Sequence, residues 1–198
     1  RLDDPAASVP ALKRAVELAP DDRELRGLLA EGLRAAGELD EARQLLERLI
    51  ADFGRRRSPE RAQAHLALAR VLHALGEAGE ALDQLDAASK MDASNATVLK
   101  ALAELAQEAG QLDRAERALR TLLVTVRREK EPELLPIGPT EVLFDLSRIA
   151  ADRGEPDKAS ELYDSVLESL RQHEFEAPRI QRKLKARGEY ALLRKVLE

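Results

Sequence analysis

Glycines recur along this chain at intervals that only a repeating architecture explains. Gly37, Gly76, Gly110, Gly154 and Gly188 lie 39, 34, 44 and 34 residues apart. Each one follows an amphipathic stretch and is itself followed by an acidic or amide residue. Because glycine readily adopts the left-handed conformation that ends a helix, we expect one helix to stop at each of these positions.

Apolar residues keep fixed offsets from these glycines. The positions eight and four residues before each glycine are always Leu, Ile or Ala, and residues four apart share one face of a helix. The position five residues after the glycine is alanine in four of the five repeats, which lets a second helix approach closely: Ala42, Ala81, Ala115 and Ala159. A lone pair of helices cannot bury both faces, so several pairs must stack.

The spacing of the glycines and of the apolar residues around them, which we call the register, predicts an all-α chain of stacked antiparallel helix pairs. These pairs are expected to form one domain over residues 1–198. A partial repeat at 1–20 precedes the full ones, and its helix, at about Pro5–Leu18, has an apolar face around Leu12 and Val16 that no first helix covers. The remaining predicted units are 22–53, 59–93, 94–131, 139–174 and a terminal partial repeat, 175–198. Prolines in the two longer intervals, Phe53–Glu60 and Glu131–Pro139, indicate loops.

The segment Ala96–Glu129 and the linker Met91–Asn95 before it resemble the tetratricopeptide repeat. The match consists of Leu followed by Ala, a turn glycine, then Ala and Leu at the family's spacing, although the family's frequent Trp is absent. The resemblance implies a right-handed α-solenoid that acts as a protein-binding scaffold or adaptor. Sel1-like and HEAT-like arrays stay open as alternatives, whereas few aromatics and an acidic charge disfavour RNA-reading pentatricopeptide repeats.

In tetratricopeptide repeats the first helix of each pair lines a concave groove, so the resemblance implies which side chains would meet a ligand. The expected groove residues stand ten, six or three positions before the glycines: Arg34, Leu66, Arg70, His73, Lys100, Glu104, Gln107, Phe144 and Arg148. Cations beside apolar residues suit an extended or helical peptide with acidic groups. A solvated charged face without a ligand is the alternative. The family's clamp for chaperone tails is disfavoured, because only Lys100 matches its residue types.

Patterns that carry chemistry are missing from the sequence. It has no Cys, no phosphate-binding or dinucleotide-binding glycine motif, and no zinc-protease or nucleophile-elbow motif. His65 and His73 share a helix face but lack a carboxylate at metal-ligand spacing. We therefore expect no enzyme activity, no cofactor, no metal ion and no small-molecule substrate.

The compartment and the source are only weakly indicated. No run of eighteen apolar residues predicts a membrane span, and no signal peptide is visible, which favours the cytoplasm. The chain begins at Arg1 without Met, as a fragment or a processed chain would. Richness in Ala, Leu and Arg suggests a bacterial source.

Charge is distributed unevenly along the chain, whose net charge is −5. The last twenty residues carry seven basic side chains against two acidic ones, and the basic ones are Arg179, Arg182, Lys183, Lys185, Arg187, Arg194 and Lys195. Such a stretch either contacts nucleic acid or anionic lipid, or forms the solvated face of a terminal repeat. The second reading is favoured because the rest of the chain is acidic. Self-association through the terminal helices is a further alternative.

Overall fold

A computed structural model describes residues 6–131, 134–189, 192 and 194 of this chain. The described residues form α-helices and short turns without any strand. The helices are α1 (Val9–Leu18), α2 (Arg23–Ala36), α3 (Leu39–Asp52), α4 (Pro59–Ala74), α5 (Ala78–Met91), α6 (Ala96–Glu108), α7 (Leu112–Val126), α8 (Pro139–Asp152), α9 (Pro156–Gln172) and α10 (Ala177–Arg187). None of these helices is long and apolar enough to span a bilayer.

The predicted turns fall at the predicted glycines. Each glycine of the register has a positive φ, from 69° at Gly110 to 82° at Gly76. At Gly37 the glycine N–H donates to the Arg34 carbonyl at 3.2 Å, and the next N–H, that of Glu38, donates to the Leu33 carbonyl at 2.9 Å. This paired closure satisfies the last carbonyls of the helix and reverses the chain, and it explains why a glycine is needed there.

The apolar offsets of the register form the core. The residues eight positions before the glycines are at most 5% exposed: Leu29, Leu68, Leu102, Leu146 and Ile180. The small residues Ala42, Ala81 and Ala115 are completely buried, as close contact between paired helices requires. The prediction of an all-α fold built from antiparallel helix pairs is therefore confirmed.

The chain forms two compact units, Arg1–Leu105 and Ala106–Glu198. In the first unit α1 packs against α2, and Leu12 is only 8% exposed. The expectation of an uncovered apolar face was therefore wrong at Leu12, because α2 packs against α1, whereas Val16 is only half-buried. Leu18, at the end of α1, is 73% exposed. Within the second unit, α8 packs against both α7 and α9.

A buried carboxylate from far along the sequence caps α8 in the second unit. Glu176 is fully buried in a 3₁₀ turn before α10, and it accepts hydrogen bonds from the backbone N–H groups of Thr140 and Glu141 at 3.1 and 3.0 Å. A Cβ on Gly138 would lie 2.3 Å from the carboxyl carbon of Glu176. Glycine at this position therefore makes room for a cap that also complements the helix dipole.

Candidate functional site

A cleft of about 630 Å³ opens in the first unit between α2 and α4. Its apolar wall comes from Leu46 and Leu49 of α3 and from Leu66 of α4, all of which are nearly buried. Its charged lining includes Arg23 near the start of α2 and Arg70 near the end of α4. Clefts of this size that combine apolar walls with a few polar groups are typical of ligand sites.

The loop that follows α3 forms one side of this cleft. The 39-residue interval between Gly37 and Gly76 is five residues longer than the usual 34, and these extra residues lie in this loop. Gly54, with φ 60°, turns the chain there. The guanidinium of Arg23 stacks 4.6 Å from the ring centre of Phe53, and its Nη2 donates to the Asp52 carbonyl at 2.9 Å. Ser58 then caps α4 by accepting from the N–H of Arg61 at 3.2 Å. The loop is thus held against α2 through Phe53 and against α4 through Ser58.

Gly27 lies in the lining of the cleft, and its position in the register explains the empty space. It stands ten residues before its turn glycine, where α4 has Leu66 and α8 has Phe144. A Cβ at Gly27 would meet no atom within 4 Å. The cleft is therefore a place where this repeat lacks the large side chain that other repeats carry.

Three of the four cations expected to line the groove are already paired inside the chain. Arg34 binds Glu31 through two hydrogen bonds, the shorter at 2.6 Å, and this contact lowers the pKa of the Glu31 carboxyl. Lys100 lies 3.7 Å from Glu104. The remaining pairs involve Arg148, which contacts Glu189 at 3.0 Å and Asp152 at 3.8 Å.

Arg70 differs from these three cations. It is exposed, and within the described part of the chain its side chain forms no hydrogen bond or ion pair. Its positive charge acts on Glu31 only through space. A ligand carboxylate could therefore bind Arg70 without breaking an existing contact.

The sequence pattern of the tetratricopeptide repeat matches residues 2–58, and a second pattern with the same description matches residues 62–87 and 99–121. Together these matches cover more than half of the chain. The chain belongs to the tetratricopeptide-repeat family. No curated protein sequence matches it significantly.

Several solved structures share the fold. The crystal structure of MamA has a TM-score of 0.66 and 17% identity, covering 84% of this chain and 88% of MamA. BtubC from P. vanneervenii has a TM-score of 0.65 and 19% identity, covering 97% of this chain and 85% of BtubC. YrrB, described as a TPR protein with an unusual peptide-binding site, has a TM-score of 0.60 and 15% identity, covering 84% and 78%.

The other predicted groove residues of these tetratricopeptide repeats differ in their surroundings. His73 and Glu104 are exposed, and Gln107 is half-buried. Leu66 and Phe144 were expected to offer apolar surface, but they are 2% and 1% exposed and belong to the core. Leu66 still forms part of the wall of the cleft, together with Arg70 one turn later.

The second unit has a smaller hollow, of about 210 Å³, between α8 and α9. Phe144 is part of its lining and packs in a core cluster with Tyr163 and Ile180. Leu192 also lines it, and its carbonyl accepts a hydrogen bond from the Tyr163 hydroxyl at 3.1 Å. Burial raises the pKa of Tyr163 to about 12. Phe144 and Leu192 thus place apolar side chains in the lining of this hollow.

The register did not identify several residues that line the larger cleft. Arg23, Phe53 and Arg56 lie at helix ends or in the loop, outside the offsets that a tetratricopeptide repeat uses for its groove. The interval of 39 residues was the available signal, because five extra residues had to be placed somewhere between two helix pairs. Gly27 was a second signal, since glycine inside a helix is unfavourable by about 1 kcal/mol relative to alanine.

The basic C-terminal helix turns part of its charge inward. Lys183 of α10 lies 3.0 Å from Glu141 and 2.8 Å from Asp145 on α8, and Arg179 lies 3.9 Å from Glu141. Burial alone would lower the pKa of Lys183, but the carboxylates of Asp145 and Glu141 outweigh it and raise this pKa. Arg182 and Lys185 are exposed, and the side chains of Arg187 and Lys195 lie outside the described residues. Ion pairing within the second unit therefore accounts for part of the basic stretch.

Proposed function

We propose that this chain is a non-catalytic scaffold that binds a peptide or protein segment in the cleft between α2 and α4. The observation that carries the proposal is the cleft itself, an open space beside an apolar wall that ends at Arg70, which has no partner in the described part of the chain. Helical repeats present such surfaces to partners, and YrrB shares the fold and is described as having a peptide-binding site.

Charge and chemistry around the cleft support binding rather than catalysis. Among the described residues no group of His, Asp and Glu side chains could hold a metal ion. The side chains that meet in the cleft are arginines, glutamates, the polar Ser58 and Gln63, and apolar residues, a set that suits recognition of a chain segment. Arginine is also enriched at the centres of protein interfaces.

A selection from a random-peptide library displayed on phage tests this proposal. Peptides recovered with the purified chain are synthesised, and their affinity is measured by fluorescence anisotropy. Arg70→Glu is expected to weaken binding, and Arg117→Glu, the same charge change at an exposed arginine of α7, is expected to leave it unchanged. Recovery of no peptide, or equal affinity for the Arg70→Glu variant, contradicts the proposal.

A further inference from the structure

We infer that the hollow beside Gly27 is a specificity pocket for one bulky apolar side chain of the partner, with a carboxylate of the same partner bound at Arg70. This inference rests on the proposed function and names the chemistry of the segment that the cleft selects. Its basis is Gly27 itself, which stands at the register position where other repeats carry Leu66, Lys100 and Phe144.

The apolar part of the inference follows from the missing side chain. In α4 and α8 the position ten residues before the turn glycine carries Leu66 and Phe144, which are nearly inaccessible to solvent. At Gly27 the corresponding volume is open, and Leu46 and Leu49 stand beside it. A side chain of the size of Leu or Phe from a partner would therefore find the surroundings that these core residues have elsewhere.

The acidic part follows from the charges that remain available at the rim. Arg70 has no partner among the described residues, and the side chain of Arg56 makes no hydrogen bond or ion pair there either. Two glutamates also line the cleft, Glu24 and Glu60. Hydrogen bonds from the backbone N–H of Glu60 and from Ser58, together with the charge of Arg56, lower the pKa of the Glu60 carboxyl. The lining thus carries three arginines against two glutamates, and its net positive charge favours a partner with a negative group and disfavours a basic one.

The spacing between Arg70 and the apolar wall beside the hollow sets the spacing within the partner. Leu66 and Arg70 are four residues apart on α4, which corresponds to a rise of about 6 Å along the helix. An extended peptide covers about 6 Å in two residues, since each residue spans about 3.3 Å. We therefore expect an extended segment whose acidic residue stands one or two positions from its bulky apolar residue.

Filling the hollow from inside the chain tests the inference directly. Gly27→Leu supplies the missing side chain, and Gly27→Ala supplies a smaller part of it. Gly79→Leu is the matched control, because Gly79 lies in α5 and its Cβ would also meet no atom within 4 Å. Circular dichroism and thermal melting establish that each variant is folded before its affinity is measured.

The expected result is a graded loss of binding. Peptides selected from the random library should share a Leu, Ile, Met or Phe with Asp or Glu within two positions. Gly27→Leu should weaken their binding by about tenfold or more, since one apolar group in a pocket changes affinity by roughly 10–200-fold. Gly27→Ala should have an intermediate effect, and Gly79→Leu should have none.

Different failures separate this inference from the proposed function. Selected peptides that lack the apolar–acidic pair, or that bind the Gly27→Leu variant as tightly as the original chain, overturn the inference and leave a peptide-binding scaffold standing. A selection that yields no binding peptide overturns the proposed function, and the inference falls with it. Peptides that require a basic residue instead of an acidic one overturn the role of Arg70.

Discussion

Helices α2 and α8, one from each unit, differ at the same register position. In α2 the residue ten positions before the turn glycine is Gly27, and an open cleft lies beside it. In α8 the corresponding residue is Phe144, which is 1% exposed, and the hollow that it lines is smaller. The arginines six positions before the turn glycine also differ. Arg70 is unpaired among the described residues, whereas Arg148 binds Glu189.

The extra residues of the two long intervals have equally different roles. In the first unit the five extra residues shape a loop that borders the cleft and leaves it open. In the second unit the longer insertion ends at Gly138, which leaves room for Glu176 to cap α8. The same repeat pattern thus accommodates two kinds of insertion. The first borders an exposed surface, and the second supports the interior of its unit. The side chain that packs against each insertion makes this difference.

The largest expected change in stability comes from removing the Glu176 cap of α8 in the second unit. Glu176→Ala leaves the N–H groups of Thr140 and Glu141 buried without acceptors, and should lower the free energy of unfolding by about 2–4 kcal/mol. Urea denaturation followed by circular dichroism measures this change, and amide exchange should locate it in α8. Glu174→Ala, in the same turn but exposed, is the control. Equal stability of the two variants would show that the cap contributes nothing.

Overpacking the contact between paired helices should lower the free energy of unfolding by a somewhat smaller amount. Ala115 is completely buried in its helix pair, whereas Ala159 at the same register position is half-buried. Ala115→Phe should lower the free energy of unfolding by about 1–3 kcal/mol, because the close helices must separate. Ala159→Phe should cost clearly less in the same urea titration. The reverse order would contradict the tight packing assigned to this register position.

Alanine at two glycines should change stability with opposite signs. Gly27→Ala should raise the free energy of unfolding by about 0.5–1 kcal/mol, since the Cβ meets no neighbour and alanine favours the helix. Gly138→Ala should lower it, because its Cβ would collide with the carboxyl group of Glu176. Thermal melting of the two variants decides the matter. A loss of stability in the Gly27→Ala variant would mean that the cleft is not open.

The smallest expected effect is a pH dependence that originates in the first unit. His65 is 7% exposed, and its Nδ1 lies 2.8 Å from Oε1 of Gln84. Burial lowers the pKa of His65 from 6.5, the Gln84 hydrogen bond opposes this in part, and the charge of Arg61 adds a smaller lowering. The folded state therefore resists protonation, and stability should fall as the pH drops below 6.5 and the unfolded chain takes up a proton. His65→Gln should remove this part of the dependence in urea titrations at several pH values.

The fold could be predicted from the sequence because its determinants are local. A turn glycine, the apolar residues around it and a small residue five positions later specify each helix pair without reference to distant residues. The cap at Glu176 could not be predicted, since it joins residues more than thirty positions apart. The burial of Leu66 and Phe144 was missed for a similar reason, because the register gives the face of a helix but not what covers it.

The candidate site was predictable only in part. The offsets identified Arg70 and Leu66, which line the cleft, but they gave the same weight to Arg34, Lys100 and Arg148, which pair within the chain. Which cation remains available depends on side-chain contacts that a periodic pattern does not contain. Gly27 was visible in the sequence, but its meaning depends on what its neighbours leave empty.

Hydrogen–deuterium exchange with and without a selected peptide tests most directly whether the first unit holds the open site. We predict slower exchange in the part of α2 near Gly27, in the loop after α3 and in α4 up to Arg70. We predict no change in α8 and α9, where Phe144 stands at the register position of Gly27 and the hollow is smaller. Protection confined to α8 and α9, with none in α2 and α4, would contradict the account.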